Sequence, residues 1–491
     1  MIGELQATSV QGIDIVKDNV PKGRIMLLIT NVTAVTVDAH RRIITEAAIA
    51  VEGDRIADVG KASDLALRHP DADRLDGHGM LALPGLIDAH AHSDQALLRG
   101  AADDLPWRPF LREVIWPLLR QRTQEDARIS LRLCMLEMIK SGTTCFVDSI
   151  VPSHYDFDGL AQAVVDMGMR AVLAKYVLPD AVFGRDESPV DTGGFSGEEE
   201  SLADAERGIG VWHGAAGGRL QVWLGPLVPR EEPPASASPD FYRRVSRLAA
   251  KHGTGITVHF AGTIDDPPFF LREFGMLPAE FARRYDLLGP NVLLINGTWF
   301  SEEEIPILAE TDTRLVHSPS ANMKMGEGFA KVPQMRNAGV TVALGCDAGA
   351  NNNCHDMVRE MKAASLLHNV TMMDPTTLTA EDALEMATIE GARAIGRSDQ
   401  LGSLEVGKQA DVILVDLQRP HTMPIHDPIA NLVYAAHGGN VDTVIVAGQV
   451  LMQGRQVLVA DEAAILDEAQ ERGTALLKRA GIEVAPAWPV E

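Results

Sequence analysis

Histidine and aspartate stand at the ends of several apolar runs in this chain, and their types and spacing suit a metal ion. One run closes as PGLIDAHAHSD, in which Asp88, His90 and His92 are separated by two. In an extended strand that alternation directs all three side chains to one face, and two imidazoles on one face can hold one ion. A later run ends ITVHF, with His259 at its terminus, and another ends VALGCDAG, with Asp347 likewise. Three neutral imidazoles and a carboxylate make a mixed nitrogen–oxygen site suited to Zn²⁺ or Fe²⁺. Singly, each residue has a plainer reading. With 15 histidines in the chain an HxH pair arises by chance, and a lone histidine or turn aspartate is as often a hydrogen-bonded structural residue. The coincidence of four at matching strand ends favours the metal.

Such side chains need a scaffold that brings distant strand ends together. Apolar runs occur at 81–87, 143–148, 170–178, 220–228, 255–260, 292–296, 313–317 and 341–346, with helical patterns between most of them. In 123–141, Ile129, Leu133, Leu136 and Ile139 share one face and Gly142 is a C-terminal stop. Ser301 with Glu304 reads as a capping box after the sixth run. Repeated strand–helix units over about 310 residues favour an α/β fold of the (β/α)₈ barrel type over an open doubly wound sheet. No GxGxxG follows the first strand, which argues against dinucleotide binding.

The two chain ends share another texture. Residues 25–60 and 402–456 are rich in short β-branched runs, with turns at Glu52-Gly53-Asp54, Gly448 and Gly454. They suggest a composite β-sandwich built from both ends, followed by an amphipathic helix from Asp461 to Ala480. The expected division is 1–80 for the N-terminal part of the sandwich, 81–400 for the metal-dependent barrel, and 401–491 for the C-terminal part with the terminal helix.

The 491 residues carry 44 Lys+Arg against 68 Asp+Glu, a net charge of −24. This excess argues against a nucleic-acid partner, which needs a basic stripe, and against anionic membrane surfaces. No apolar run reaches the roughly 18–20 residues of a spanning helix. The N-terminus shows no basic segment followed by an apolar one, so no secretory signal is expected. Cys134, Cys145, Cys346 and Cys354 are too few for a disulfide framework. A cytoplasmic protein acting on a small molecule fits these features.

The stretches PGLIDAHAHSDQALLRG, SGTTCFVDS, SPSANMKMGEG, LGCDAGANNNCHDMVREMK, LEMATIEGARAIG and GSLEVGKQADVILVDL resemble the amidohydrolase superfamily. The likeness is greatest to the branch with atrazine chlorohydrolase, melamine deaminase, guanine deaminase and adenosylhomocysteine deaminase. It runs from about Ile25 to Pro489, and the tail DEAQERGTALLKRAGIEVAPAW is similar to the chlorohydrolase and melamine deaminase end. The resemblance implies one divalent ion per subunit, Zn²⁺ ahead of Fe²⁺, held by His90, His92, His259 and Asp347. It also implies a homo-oligomer, and Asp347 as general base as well as ligand. A bound divalent ion lowers the pKa of water to about 7, so that water can attack a carbon bearing an amine, halide or amide leaving group.

Two positions depart from the family pattern. The family's deaminases carry H-x-x-E after strand five, where the glutamate protonates a ring nitrogen; here the residues are His259-Phe260-Ala261-Gly262. Strand six usually ends in histidine, whereas VLLING supplies Asn296, which hydrogen-bonds but transfers no proton at neutral pH. After Asp347 the chlorohydrolase has Asn directly and Ser four residues on; here Ala348 and Asn351 stand there. General acid help is typically worth roughly 10²–10⁴-fold. A good leaving group makes it unnecessary, as does a carbonyl substrate whose oxyanion is held by the metal and Asn296. Otherwise a substitute comes from Asp265, Asp266, Glu327 or His355 in neighbouring loops, or from His317, each of which also has a solvated or structural reading.

The loops after the strands carry Trp107, Phe110 and Trp116, then Phe269 and Phe270, then Trp299 and Phe300. This clustering favours a planar or apolar substrate, or else anchors loops or a subunit contact. Trp107, Trp299, Asn322 and Asn351 are the candidate substrate contacts. Residues 180–197, rich in Gly and Pro, read as a lid or a surface excursion. Alternation points Cys346 away from the site if Asp347 points in, which makes it a packed thiol. The expectation is a metal-dependent hydrolase that breaks a non-peptide C–N (or C–halogen) bond of a nitrogen-rich heterocyclic or aryl substrate, with Asp347 and Asn296 as catalytic groups. The alternatives are hydrolysis of an exocyclic amide, urea or carbamate bond, and a non-catalytic metal-binding homologue.

Overall fold

The computed structural model describes residues 26–152, 155–180, 195, 197–229, 238–484 and 488. The lid candidate at 180–197 lies almost wholly outside these residues. The central scaffold is a ring of parallel strands: β1 (Leu86–His92), β2 (Thr143–Val151), β3 (Arg170–Val177), β4 (Leu220–Pro226), β5 (Ile256–Phe260), β6 (Val292–Asn296), β7 (Arg314–His317) and β8 (Val342–Leu344). Each pairs with the next in chain order. The ring closes because the chain resumes β structure at Asp347–Ala348, which pairs with Ala91 and His92 of β1. The expected (β/α)₈ barrel is thus observed. Ile87, Ala89, Val147, Val172, Trp223 and Val316 fill its interior, as the layered packing of such barrels requires. Their neighbours Leu86, Phe146 and Leu294 face the helical layer.

The helix Gln124–Ser141 forms for the reasons its sequence suggests: Thr123 and Asp126 make a capping box, and Gly142 ends it at φ 92°. The Ser301–Glu304 pair behaves differently. Glu304 accepts the Ser301 and Ala279 backbone N–H groups, both at 2.8 Å, and the helix begins only at Ile305. Glu304 therefore ties two loops together and completes only half of a capping box.

Both chain ends build one further sheet. Met26–Val35, Ile43–Glu52, Arg55–Lys61, Asp73–Asp76 and Leu81–Pro84 come from one end, and Val412–Val415, Val441–Val446, Gln449–Gln453 and Gln456–Val457 from the other. The ends meet where Leu83 pairs antiparallel with Ile413, so hydrogen bonding joins these strands in one sheet, with Asp73–Asp76 off its main path beside Met26–Val35. Ile29, Ile49, Ala82, Val412 and Ile445 form its core. The apolar run at 81–87 spans two elements, since Pro84 ends the sheet strand and Leu86 opens the barrel. Gly85 between them is required by packing: a Cβ there would sit 2.1 Å from Thr144 Oγ1. Buried Arg170 of β3 clamps Asp411 through two bonds of 2.7 and 3.0 Å, fastening barrel to sheet. The last helix, Glu462–Ala480, pairs Arg472 and Arg479 with Asp126 of the helix after β1.

Candidate active site

β1 begins with simple alternation: Ile87 and Ala89 face the barrel interior, and Asp88 faces the helical layer, 3.7 Å from His355 Nδ1. The register against β2 then shifts, because Asp88 pairs with Phe146 and Ala91 with Asp148. One extra residue in β1 makes a bulge, a device that re-aims side chains. It turns His90 and His92 into the barrel mouth. Strict alternation placed Asp88 on their face, and the bulge separates it from them.

At the mouth, His92 Nε2 lies 3.3 Å from His259 Nε2. His90 Nε2 and His92 Nε2 lie 3.3 and 3.7 Å from Asp347 Oδ1. Asp347 reaches this point after the break in β8, in a left-handed conformation at φ 68°. Cys346 faces the opposite way, with its backbone N–H bonded to Asp88 at 2.9 Å. Ser149, at the end of β2, orients the fully buried His90. Its hydroxyl donates to the Ala91 carbonyl at 3.0 Å, so its lone pair accepts the His90 Nδ1 proton at 2.6 Å. That leaves His90 Nε2 as a bare lone pair, buried and without a hydrogen bond among the described residues. Burial, then the neighbouring His90, pushes the His92 pKa down to about 4 and keeps that ring neutral. Burial opposes ionisation of Asp347 too, but the surrounding imidazoles hold its carboxyl well below the usual range. The buried His90 Nε2 lone pair and the Asp347 carboxylate converge as two acceptors, which is costly when dry. They fit a divalent cation, and the second bond from Ser149 to His90 is what metal-binding histidines require.

The site forms the floor of a cavity walled by Trp107, Phe110, Trp116 and Phe270. Trp107 stacks on Phe110 at 5.9 Å. Phe269 and Phe300 instead join a buried aromatic cluster with Phe260, Phe270 and Phe274. Asn296 and Asn351 line the cavity. Asn296, at φ 71°, leaves its Oδ1 without a partner among the described residues, and Asn351 Oδ1 accepts the Ala348 N–H at 2.9 Å. Gly262 and Asn296, the two departures from the family pattern, are neighbours: a Cβ at 262 would stand 3.1 Å from Asn296 Nδ2.

Trp299 and Asn322 are not in the cavity wall and instead hold Glu327, which is. Trp299 Nε1 donates to the Glu327 carbonyl at 2.8 Å, Asn322 Nδ2 to the Glu327 carboxylate at 3.3 Å, and the Glu327 N–H to the Asn322 carbonyl at 3.1 Å. The other acid candidates are committed elsewhere. Half-exposed Asp265 pairs with Arg108 at 2.9 Å, and Asp266 accepts the Thr263 N–H at 3.1 Å. His317 lies off the cavity beside His368, and burial drives its pKa well below the usual histidine value. His355 is buried behind β1. Ser149 and the hold on Glu327 were not readable from spacing, because their partners are 59 residues away in one case and backbone groups in the other.

Comparison with known proteins agrees with this geometry. The pattern of the amidohydrolase family matches residues 81–451, and an imidazolonepropionase-like composite domain of bacteria matches residues 47–72. The chain is 37% identical over 453 residues to the 5-methylthioadenosine/S-adenosylhomocysteine deaminase of Pelotomaculum thermopropionicum, covering 92% of this chain and 99% of that one. It is 34% identical over 454 residues to the 5'-deoxyadenosine deaminase of Methanosarcina mazei, with coverage of 92% and 99%. Among solved structures, an adenosine deaminase from Xanthomonas campestris with bound zinc has a TM-score of 0.84 at 29% identity, covering 92% of this chain and 98% of that one. The atrazine chlorohydrolase of Arthrobacter aurescens TC1, complexed with zinc, has a TM-score of 0.80 at 26% identity, with coverage of 92% and 100%. No helix of the described residues is long and apolar enough to cross a membrane. A closed barrel, an imidazole and carboxylate cluster at its mouth and a family match over most of the chain lead to one assignment: the protein belongs to the amidohydrolase family.

Proposed function

We propose that this protein is an aminohydrolase that replaces the exocyclic amino group of an adenine-type heterocycle with oxygen and releases ammonia. One observation carries the reading: three imidazoles and Asp347 converge on the floor of an aromatic-walled cavity. His90, His92, His259 and Asp347 would hold one divalent ion per subunit, Zn²⁺ ahead of Fe²⁺. Such an ion supplies a water that ionises near neutral pH. Asp347, kept ionised by its neighbours, takes a proton from the attacking water and returns it to the departing amine. Trp107 stacks on the planar ring. Asn296 and Asn351 hydrogen-bond its edge, the former through the Oδ1 that has no partner among the described residues. Trp299 and Asn322 act on the substrate only through Glu327.

The deaminases among the relatives support an adenine-type substrate over a chlorinated triazine. Exposed Leu366, Val370 and Met373 support a homo-oligomer, and free Cys134, Cys145, Cys346 and Cys354 support the reducing cytoplasm. The test is a panel offered to the zinc-reconstituted protein: adenine nucleosides with a modified 5' position, a triazine, a urea and a carbamate. Ammonia release from a nucleoside is expected. Carboxylate and amine from the urea or carbamate, with no ammonia from nucleosides, would replace the reading by the amide alternative. No turnover of any compound would leave the non-catalytic alternative.

A further inference from the structure

We propose that Glu327 is the proton donor to the ring nitrogen of the substrate, a task that no residue directly after His259 performs in this chain. The inference rests on the aminohydrolase reading above. Position 262 is tight for an acid while Asn296 stands beside it, since a Cβ would lie 3.1 Å from the amide nitrogen and Asn296 would have to give way. The carboxyls of the cavity are Asp94, Asp265, Asp266, Glu327 and Asp347. Asp94 is paired with Arg122, Asp265 with Arg108 and Asp347 with the imidazoles. Asp266 accepts the Thr263 N–H. Glu327 has no cationic partner among the described residues, and its one side-chain hydrogen bond is the 3.3 Å contact from Asn322.

Its backbone is pinned as well. Besides the bonds to Trp299 and Asn322, Gly328 follows at φ 94°, where a Cβ would lie 3.2 Å from the Trp299 ring. The fold thus holds this residue at the cavity wall. Its protonation agrees: burial first, then the charge of Asp347, pushes its pKa up to about 8, with Asp266 adding and Asn322 opposing. Burial persists whatever Asp347 holds.

The step balances as follows. As the water oxygen bonds to carbon, Asp347 takes one water proton. The electron pair of the C=N bond moves to the ring nitrogen, which receives the Glu327 proton. The C–N bond to the exocyclic nitrogen then breaks, and that nitrogen leaves as ammonia with the proton held by Asp347. The hydroxyl on carbon becomes a carbonyl by returning its proton to Glu327.

The test is E327Q in the zinc-loaded protein. Turnover of the best nucleoside is expected to fall roughly 10²–10⁴-fold with zinc content unchanged. Wild-type kcat falls as pH rises through the Glu327 pKa, because the donor loses its proton, and E327Q lacks that alkaline limb. Turnover within about threefold of wild type, or retention of the limb, overturns the proposal, since a general acid supplies far more than that. A second measurement decides the matter even if the wild type releases no ammonia, the outcome that would sink only the reading beneath it. Carbon NMR of protein labelled at glutamate carboxyls, assigned by the signal missing in E327Q, should show Glu327 protonated at neutral pH. Titration in the ordinary carboxylate range overturns it.

Discussion

Two clusters of metal-ligand residue types sit on opposite sides of the first barrel strand. On the inner side His90 and His92 converge with His259, and on the outer side Asp88 meets Cys346 and His355. In each cluster the available ligand atoms lie within 4.8 Å of one another, so distance and residue type do not tell them apart. Their surroundings do. The inner cluster opens on a cavity, and its buried His90 Nε2 has no hydrogen-bond partner among the described residues. The outer cluster is fully enclosed, and Asp88 Oδ1 is already taken by the Cys346 and His90 N–H groups at 2.9 and 3.3 Å. Burial, then Asp88, pushes the Cys346 thiol well above its usual pKa, which disfavours the thiolate that a metal ligand requires. A metal centre needs access and deprotonated donors as well as spacing, and only the inner cluster has both.

Three substitutions put that contrast at risk. The largest effect is expected from His259→Ala, which should remove bound zinc and turnover together; full metal occupancy by elemental analysis would refute the ligand set. Next is Ser149→Ala, which frees the His90 Nδ1 proton without touching a ligand and should cost roughly 10–100-fold in metal affinity or activity. Equilibrium competition with a chelator reads it, and an unchanged affinity would show that the hydroxyl does not orient His90. The smallest effect on chemistry is expected from His355→Ala on the outer side. It should keep its zinc and its turnover while stability falls by roughly 3–5 kcal/mol, the usual result of removing one partner of a buried pair. A shifted urea midpoint at constant slope is the readout, and loss of a metal equivalent would make the outer cluster a second centre.

Much of the scaffold was legible before any coordinates. The helix Gln124–Ser141 follows from Ile129, Leu136 and Ile139 on one face and from Gly142 at its end, signals that are local and strong. The strands carrying His259 and Asn296 begin and end within a residue of their apolar runs, because a barrel strand buried on both faces must be continuously apolar. Asp88 shows the limit. Period-two alternation is a rule for regular strands, and the bulge in β1 comes from its register with β2, 58 residues on. The Ser301–Glu304 pattern forms only in part, since Glu304 also takes the Ala279 N–H and the Ser301 hydroxyl has no partner among the described residues. Trp299 and Asn322 carry a related lesson. Their types and loops were informative, but the object they hold is Glu327 and not the cavity.

By itself, then, the order of residues determined the alternation of strands and helices and which four ligand-type side chains would end those strands. Those properties depend on neighbours a few positions apart. The tertiary structure alone decided the face on which Asp88 lies, the tautomer of His90 set by Ser149, the contact between Gly262 and Asn296, and the seating of Glu327 in the cavity. Each of these is a relation between segments far apart in the chain. Hydrogen bonding, burial and the proton affinity that burial imposes exist only once those segments are packed together.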